Sequence, residues 1–212
     1  MELMDCIASR HSVRSFLPDA VSEQDLLYCI QAARLAPSSF NTQPWKFIAV
    51  TDPALCGKVA AAVCNPILRT NMQAKDAPVL VVVLSDISTG LNPVMRTAVK
   101  KFNFYWYDIG CAVQNFCLAA AECGLGTSIM GMIRQKKRVK ELLEVPEDKE
   151  ICMVLAVGYP APAQPEPTRR KNLEDIFSWN SYLPAQETEP QNSGWQEEAE
   201  YLAQQVTEKE DA

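Results

Sequence analysis

Apolar and polar positions along the chain divide it into short elements. Leu3, Met4 and Ile7 share one side of a short helix over residues 2–9. Ser22 starts a second helix, with Asp25 three positions on in the capping-box place. Leu26, Leu27, Ile30, Ala33 and Ala36 then recur at helical spacing, and Pro37 is placed to stop the run. Trp45 to Val50 reads as a strand entered directly from Pro44, because a proline drives the residue before it, Gln43, toward extended backbone. Pro53 to Val63 reads as a helix capped by Thr51 or Asp52. Pro78 to Leu84 is continuous in aliphatic and β-branched side chains, which predicts a strand covered on both faces. Tyr105 to Cys123 is apolar on nearly every side, as a long helix buried centrally and often against a second subunit must be. Gly124-Leu125-Gly126 ends it. A short strand from Thr127 to Met130 closes at Gly131. An amphipathic helix from Gln135 to Leu143 follows, with Lys136, Lys137, Arg138 and Lys140 outside. Ile151 to Val157 is the last core strand.

Between these elements, Gly90, Asn92 and Pro93 predict a loop, and Met95 to Lys101 has helical spacing. After Gly158-Tyr159-Pro160 the composition changes. Pro160, Pro162, Pro165 and Pro167 precede Arg169-Arg170-Lys171, an extended arm ending in a basic knot. Leu173 to Phe177 fits a helical turn, residues 184–194 are polar and mobile in character, and Gly194 to Val206 has weak amphipathic spacing. Strands and helices alternate imperfectly, which predicts an α+β domain built on one sheet. That domain spans residues 1–177, with an acidic C-terminal extension over 178–212.

Composition narrows the classes of function. The 212 residues carry a formal charge of −6. From Glu187 on, eight acidic residues stand against Lys209 alone, so the body is near neutral. No basic face interleaved with aromatics points to nucleic acid. Met1 to Arg10 carries Glu2 and Asp5 and lacks an apolar leader core, and the apolar runs are strand-sized, so a cytoplasmic protein away from membranes is expected. The eight cysteines are scattered with no C-x-x-C pair, which predicts buried reduced thiols and no metal. A single histidine, His11, leaves no room for a Ser-His-Asp or Cys-His hydrolase unless it is the base itself.

Two polar stretches interrupt this pattern. Arg10-His11-Ser12-Val13-Arg14-Ser15-Phe16 gathers two guanidinium groups, an imidazole and two hydroxyls beside the first helix. It is either a solvated basic turn or a phosphate site, since arginine offers a planar fork of donors and serine a short neutral one. Pro37-Ser38-Ser39-Phe40-Asn41-Thr42-Gln43-Pro44-Trp45 is either a polar connection or part of a site. Together with D-I-G-x-A-x-Q-N-x-x-L-A-A from Asp108 to Ala120, then G-L-G, then G-Y-P and basic residues, these stretches resemble the FMN-dependent nitroreductase family. The order and spacing match from residue 2 to about 177, apart from the segment over 86–103.

The resemblance implies a nitroreductase-like fold: a central, mostly antiparallel sheet flanked by helices, with a long buried helix at a homodimer interface. It implies one FMN in each of two interfacial clefts. Arg10 and Ser12 would face the phosphate, joined by Arg169, Arg170 or Lys171. His11 would be a packed neighbour of FMN, and Arg14 would lie at the N1/O2 edge. Pro37, Ser38, Ser39 and Asn41 would edge the flavin from the partner subunit, and the backbone of Met130 and Gly131 would approach N5. Gln114 and Asn115 read as interface hydrogen bonds. NAD(P)H would reduce the flavin, and a nitroaromatic, quinone or similar acceptor would reoxidise it, with no catalytic side chain required. Asn71 or Lys75 could touch the flavin. Phe102, Phe104, Tyr105 and Trp106 either stack on an acceptor or belong to the core. A non-enzymatic flavin module, a relative acting on another acceptor (dehalogenase, ene-reductase or flavin-fragmenting) and a thiol redox protein are the competing readings.

Overall fold

The computed structural model describes residues 2–87, 93–164 and 170–182. The chain divides into two compact units, Met1–Pro165 and Glu166–Ala212. In the first lie α1 (Leu3–Ser9), α2 (Glu23–Arg34), β1 (Trp45–Val50), α3 (Pro53–Val63), β2 (Val79–Ser85), α4 (Pro93–Lys101), α5 (Phe104–Glu122), β3 (Gly126–Met130), α6 (Lys136–Leu142) and β4 (Glu150–Gly158). The second contains α7 (Leu173–Ile176). The expected loop at Gly90 and Asn92, the segments over 184–194 and 194–206, and most of the acidic extension lie outside the described residues.

The caps follow local chemistry. Ser22 Oγ accepts from the Asp25 amide at 3.0 Å, and Asp52 Oδ1 accepts from the Leu55 amide at 2.7 Å with Pro53 opening α3. Asp52, not Thr51, is therefore the cap. Gly124, at φ 74°, takes the left-handed turn that ends the α5 region.

The four strands form one antiparallel sheet in the order β1-β2-β4-β3. Alternation along β2 divides the core in two. Leu80, Val82 and Leu84 face α3 and α6 together with Ile151, Val154 and Ala156. Val79, Val81 and Val83 face α2 and α5 together with Leu155 and Val157. Both faces of β2 are buried, as its continuous apolar run predicts. The alternation slips once. Val83 faces Met153 and Leu84 faces Ile151, so Cys152 is an extra residue in β4. Cys152 and Met153 both turn to the α2/α5 side, as a bulge requires.

The buried side of α5 carries Ile109, Ala112, Val113, Phe116 and Ala120. Its other side presents Tyr107, Gly110, Cys111 and Gln114 outward. Asn115 is committed inside the chain, donating to the Ala32 carbonyl of α2 at 3.2 Å. Of the four aromatics near α4, Tyr105 and Trp106 pack against the core, whereas Phe102 is exposed and stacks on Phe104 at 5.6 Å. No helix among the described residues is long and apolar enough to cross a membrane.

The N-terminal segment closes the sheet. Ser12 bridges Thr127 in parallel fashion along β3, and Phe16 bridges Pro160 beyond the end of β4. Val13 and Phe16 enter the α3/α6 core, each burial contributing about 1.5–3 kcal/mol. Val13 lies where a side chain at Gly126 would stand, its Cβ 2.8 Å from the place of an added Cβ. Gly126→Ala should therefore destabilise the fold by about 1–3 kcal/mol and lower Tm by roughly 2–12 °C. A thermal melt at the wild-type midpoint would show that Val13 is not wedged there.

Candidate functional site

Burial sorts the basic turn into two faces. With Val13 and Phe16 inside, Arg10 and His11 are half-buried and Ser12 and Arg14 exposed. The Val13 amide donates to the Thr127 carbonyl at 2.9 Å, fixing the turn as an added strand on the open edge of β3. Neither Arg10 nor Arg14 has a carboxylate partner among the described residues. Cations held in place without counter-charges are what an anionic ligand needs. His11 Nδ1 lies 3.0 Å from the Ser9 carbonyl. A carbonyl can only accept, so Nδ1 carries the proton and Nε2 is the nitrogen left for another contact.

The far end of β3 brings in a second segment. Gln73 Nε2 donates to Ser128 Oγ at 3.0 Å, one residue along from the strand position that bridges Ser12. Asn71, left-handed at φ 60°, donates to the Met132 carbonyl at 2.8 Å and to the Val63 carbonyl at 3.4 Å. Its amide holds the chain that leaves β3, while Lys75 is exposed. Met130 is buried and Gly131 exposed, and a Cβ at Gly131 would meet nothing within 4 Å. The basic turn, the 71–75 loop and Met130-Gly131 are therefore brought together along one short strand.

The polar loop over 37–44 is anchored elsewhere, to α5. The Ser39 amide and hydroxyl both donate to Asp108 Oδ1, at 3.0 and 3.1 Å. Asp108 is 6% exposed, and its Oδ2 has no hydrogen-bond partner among the described residues. Pro37 and Asn41 are exposed, and Ser38 Oγ accepts from the Gln43 amide at 3.0 Å. Phe40, Asn41 and Gln43 all have left-handed backbones, at φ 55°, 54° and 45°. Gln43 thus departs from the extended conformation expected before Pro44. The bond to Ser38 and the Gln43 side chain's contact with Asn41 Oδ1 at 3.3 Å hold it against that preference. Strain of this kind, of order 1–3 kcal/mol per residue, persists where surrounding contacts over-determine it.

Arg169 lies outside the described residues. Arg170 is exposed in the second unit.

Known proteins share the sequence pattern and the fold of this chain. The sequence profile described as the Nitroreductase family matches residues 7–159. The chain belongs to the Nitroreductase family. A protein of Archaeoglobus fulgidus, provisionally named NADH dehydrogenase/NAD(P)H nitroreductase, is 30% identical over 162 residues, which are 75% of this chain and 86% of that one. An iodotyrosine deiodinase of Thermotoga neapolitana is 29% identical over 201 residues, 85% of this chain and 98% of the relative. The crystal structure of a nitroreductase family protein from Clostridium novyi NT superposes with a TM-score of 0.65 at 25% identity, covering 76% of this chain and 87% of that one. The family relation makes the protein an oxidoreductase of a flavin-binding family.

The residues present suit a flavin phosphate: two guanidinium groups without ion pairs among the described residues and an exposed serine hydroxyl sit on a turn pinned at both ends. Asp108 opens the D-I-G motif but was given no role from the sequence, and Gln73 was not singled out at all. Asp108 carried a signal, being the only carboxylate of α5 before Glu122. Gln73 carried none.

Six of the cysteines are buried as expected, but Cys123 is half-buried and Cys111 is exposed on the outward side of α5. Burial pushes Cys29 up to about 12 and Cys152 up to about 11, and it also raises Cys117. At pH 8 a group titrating near 12 is ionised on the order of one part in ten thousand. Brief iodoacetamide treatment of the native protein should leave Cys29 and Cys152 unmodified by peptide mass spectrometry. Rapid labelling of either would put a reactive thiol back in consideration.

Proposed function

We propose that the chain is an FMN-dependent oxidoreductase that takes electrons from NAD(P)H and passes them to an electron-poor aromatic or quinone-like acceptor. The observation that carries this reading is the pair of guanidinium groups, Arg10 and Arg14, that flank Ser12 on the edge of β3 with no carboxylate partner among the described residues. Arg10 and Ser12 would hold the phosphate, and His11 would pack beside them. Arg14 would face the N1/O2 edge, where a cation favours the reduced flavin and raises its potential. The open backbone at Met130-Gly131 would take the N5 side. When bound, FMN supplies the hydride acceptance and donation that link NAD(P)H to the acceptor. No side chain of this site need serve as acid or base for that exchange.

A homodimer belongs to the same reading. Leu3, Met4 and Ile7 of α1 and Tyr107 of α5 are exposed, and α1 packs on α5. These apolar groups suit burial against a second copy. Pro37, Ser38, Ser39 and Asn41, anchored on α5 and not on β3, would then edge the partner's flavin. The likeness to a deiodinase favours a second acceptor class, halogenated aromatics, at the same site.

The first test is anaerobic absorbance of the purified protein with one equivalent of NADPH or NADH. A flavin spectrum that bleaches, and recovers on adding a nitroaromatic, quinone or halophenol, is expected. A protein that stays colourless with added FMN would end this reading, and a bound flavin that ignores both nucleotides would indicate a carrier or sensor. Arg14→Ala should weaken FMN binding about tenfold to a hundredfold, as loss of a charge-assisted contact does, and lower the flavin potential. Unchanged values for both, by fluorescence titration and spectroelectrochemistry, would remove Arg14 from the role.

A further inference from the structure

Residues 13–17 belong to no named strand, yet their backbone is stitched almost continuously. Val13 donates to the Thr127 carbonyl and Leu17 to the Tyr159 carbonyl, at 2.9 and 2.8 Å. The Ser15 carbonyl accepts from the Ala161 amide at 3.0 Å. The Arg14 amide is bound differently, by a side chain. It donates to Gln164 Oε1 at 3.1 Å. The same carboxamide donates through Nε2 to the Ser15 carbonyl at 2.6 Å and to the Ala161 carbonyl at 2.9 Å. One side chain, 150 positions away in sequence, therefore grips the peptide on both sides of the Arg14–Ser15 link and ties it to the chain that follows β4.

We propose that Gln164 is a positioning residue for Arg14, setting where its guanidinium meets a bound flavin. The inference rests on the proposed role of Arg14. That side chain is exposed. What the backbone sets is the point and angle at which it leaves the chain, and the peptide orientation there is held by a carboxamide that uses its acceptor and both of its donors at once. Only an amide of this length does so. A carboxylate would keep an acceptor for the Arg14 amide but lose both donors and turn a charge on two carbonyl oxygens. A thioether would supply neither donor.

The test compares Gln164→Glu, Gln164→Met and Arg14→Ala by FMN titration and flavin midpoint potential across pH. Both Gln164 variants should bind FMN about tenfold more weakly at pH 8, the cost expected when backbone groups lose their partners. Their potentials should move in the direction of Arg14→Ala. For Gln164→Glu the deficit relative to wild type should shrink as pH falls. Protonation of the new carboxyl restores one donor, and the facing carbonyls favour that neutral form. Gln164→Met should show no such recovery. Taking each affinity as a ratio to wild type removes the titration of the FMN phosphate itself. If Arg14→Ala weakens FMN while both Gln164 variants bind and reduce like wild type, the positioning role is overturned. Weak binding by Gln164→Glu with no recovery at low pH would mark a general packing role and overturn it too. If Arg14→Ala is silent, the flavin reading of that residue fails and this inference falls with it.

Discussion

The contact on which the site depends is the meeting of Val13 with Gly126. A side chain at 126 would occupy the space that Val13 fills, and Val13 is the apolar residue that draws the basic turn down onto β3. Burying it obliges its neighbours to face outward. That is how Ser12 and Arg14 come to be displayed, while Arg10 is half-buried, and neither arginine has an acid to neutralise it among the described residues. The cost of holding such cations near one another is met by an apolar anchor and a strand-like hydrogen bond to Thr127, not by counter-charge. Phe16 repeats the arrangement at the other end of the turn, lying against the place a Cβ at Gly158 would take.

The loop over 37–44 uses the opposite device. It has little apolar material to bury, and it is held by polar groups: Asp108 gripping Ser39, and Ser38 gripping Gln43. Three left-handed residues within four positions are the conformational cost. Asp108 keeps one oxygen without a partner among the described residues, uncommon for so buried a carboxylate. One segment is thus a turn seated on strand β3 and the other a strained loop held by α5, and the two are anchored independently.

What could be read from the sequence was governed by local chemistry. The cap at Ser22, the doubly buried β2 and the glycine stop after α5 each depend on residues a few positions apart, and the spacing states them, while for α3 it narrows the cap to Thr51 or Asp52. The basic turn was visible as a cluster of donors, and its apolar anchors could be named. The bulge at Cys152 was not visible, because an apolar run buried on both faces carries no alternation to break. The conformation of Gln43 ran against the local preference set by Pro44, overridden by side chains that the sequence does not place. Asn115 looked available to a partner subunit because its acceptor, the Ala32 carbonyl, is a main-chain group 83 residues away. Gln73 and Gln164 were invisible for the same reason. Their partners lie 55 and about 150 positions off.

The stitching between residues 13–17 and 159–164 also orders events during synthesis. Helices α2 and α3 and the β1–β2 pair can form from chain already made, but the turn that bears Arg10 and Arg14 has no seat until β3 is in place. It has no clasp until the ribosome has passed Gln164. Contacts of such long sequence separation form late, since the closing of a long loop comes before any reward for it. The first residues made are among the last to settle, and a chain cut short before Gln164 would lack that clasp on the turn.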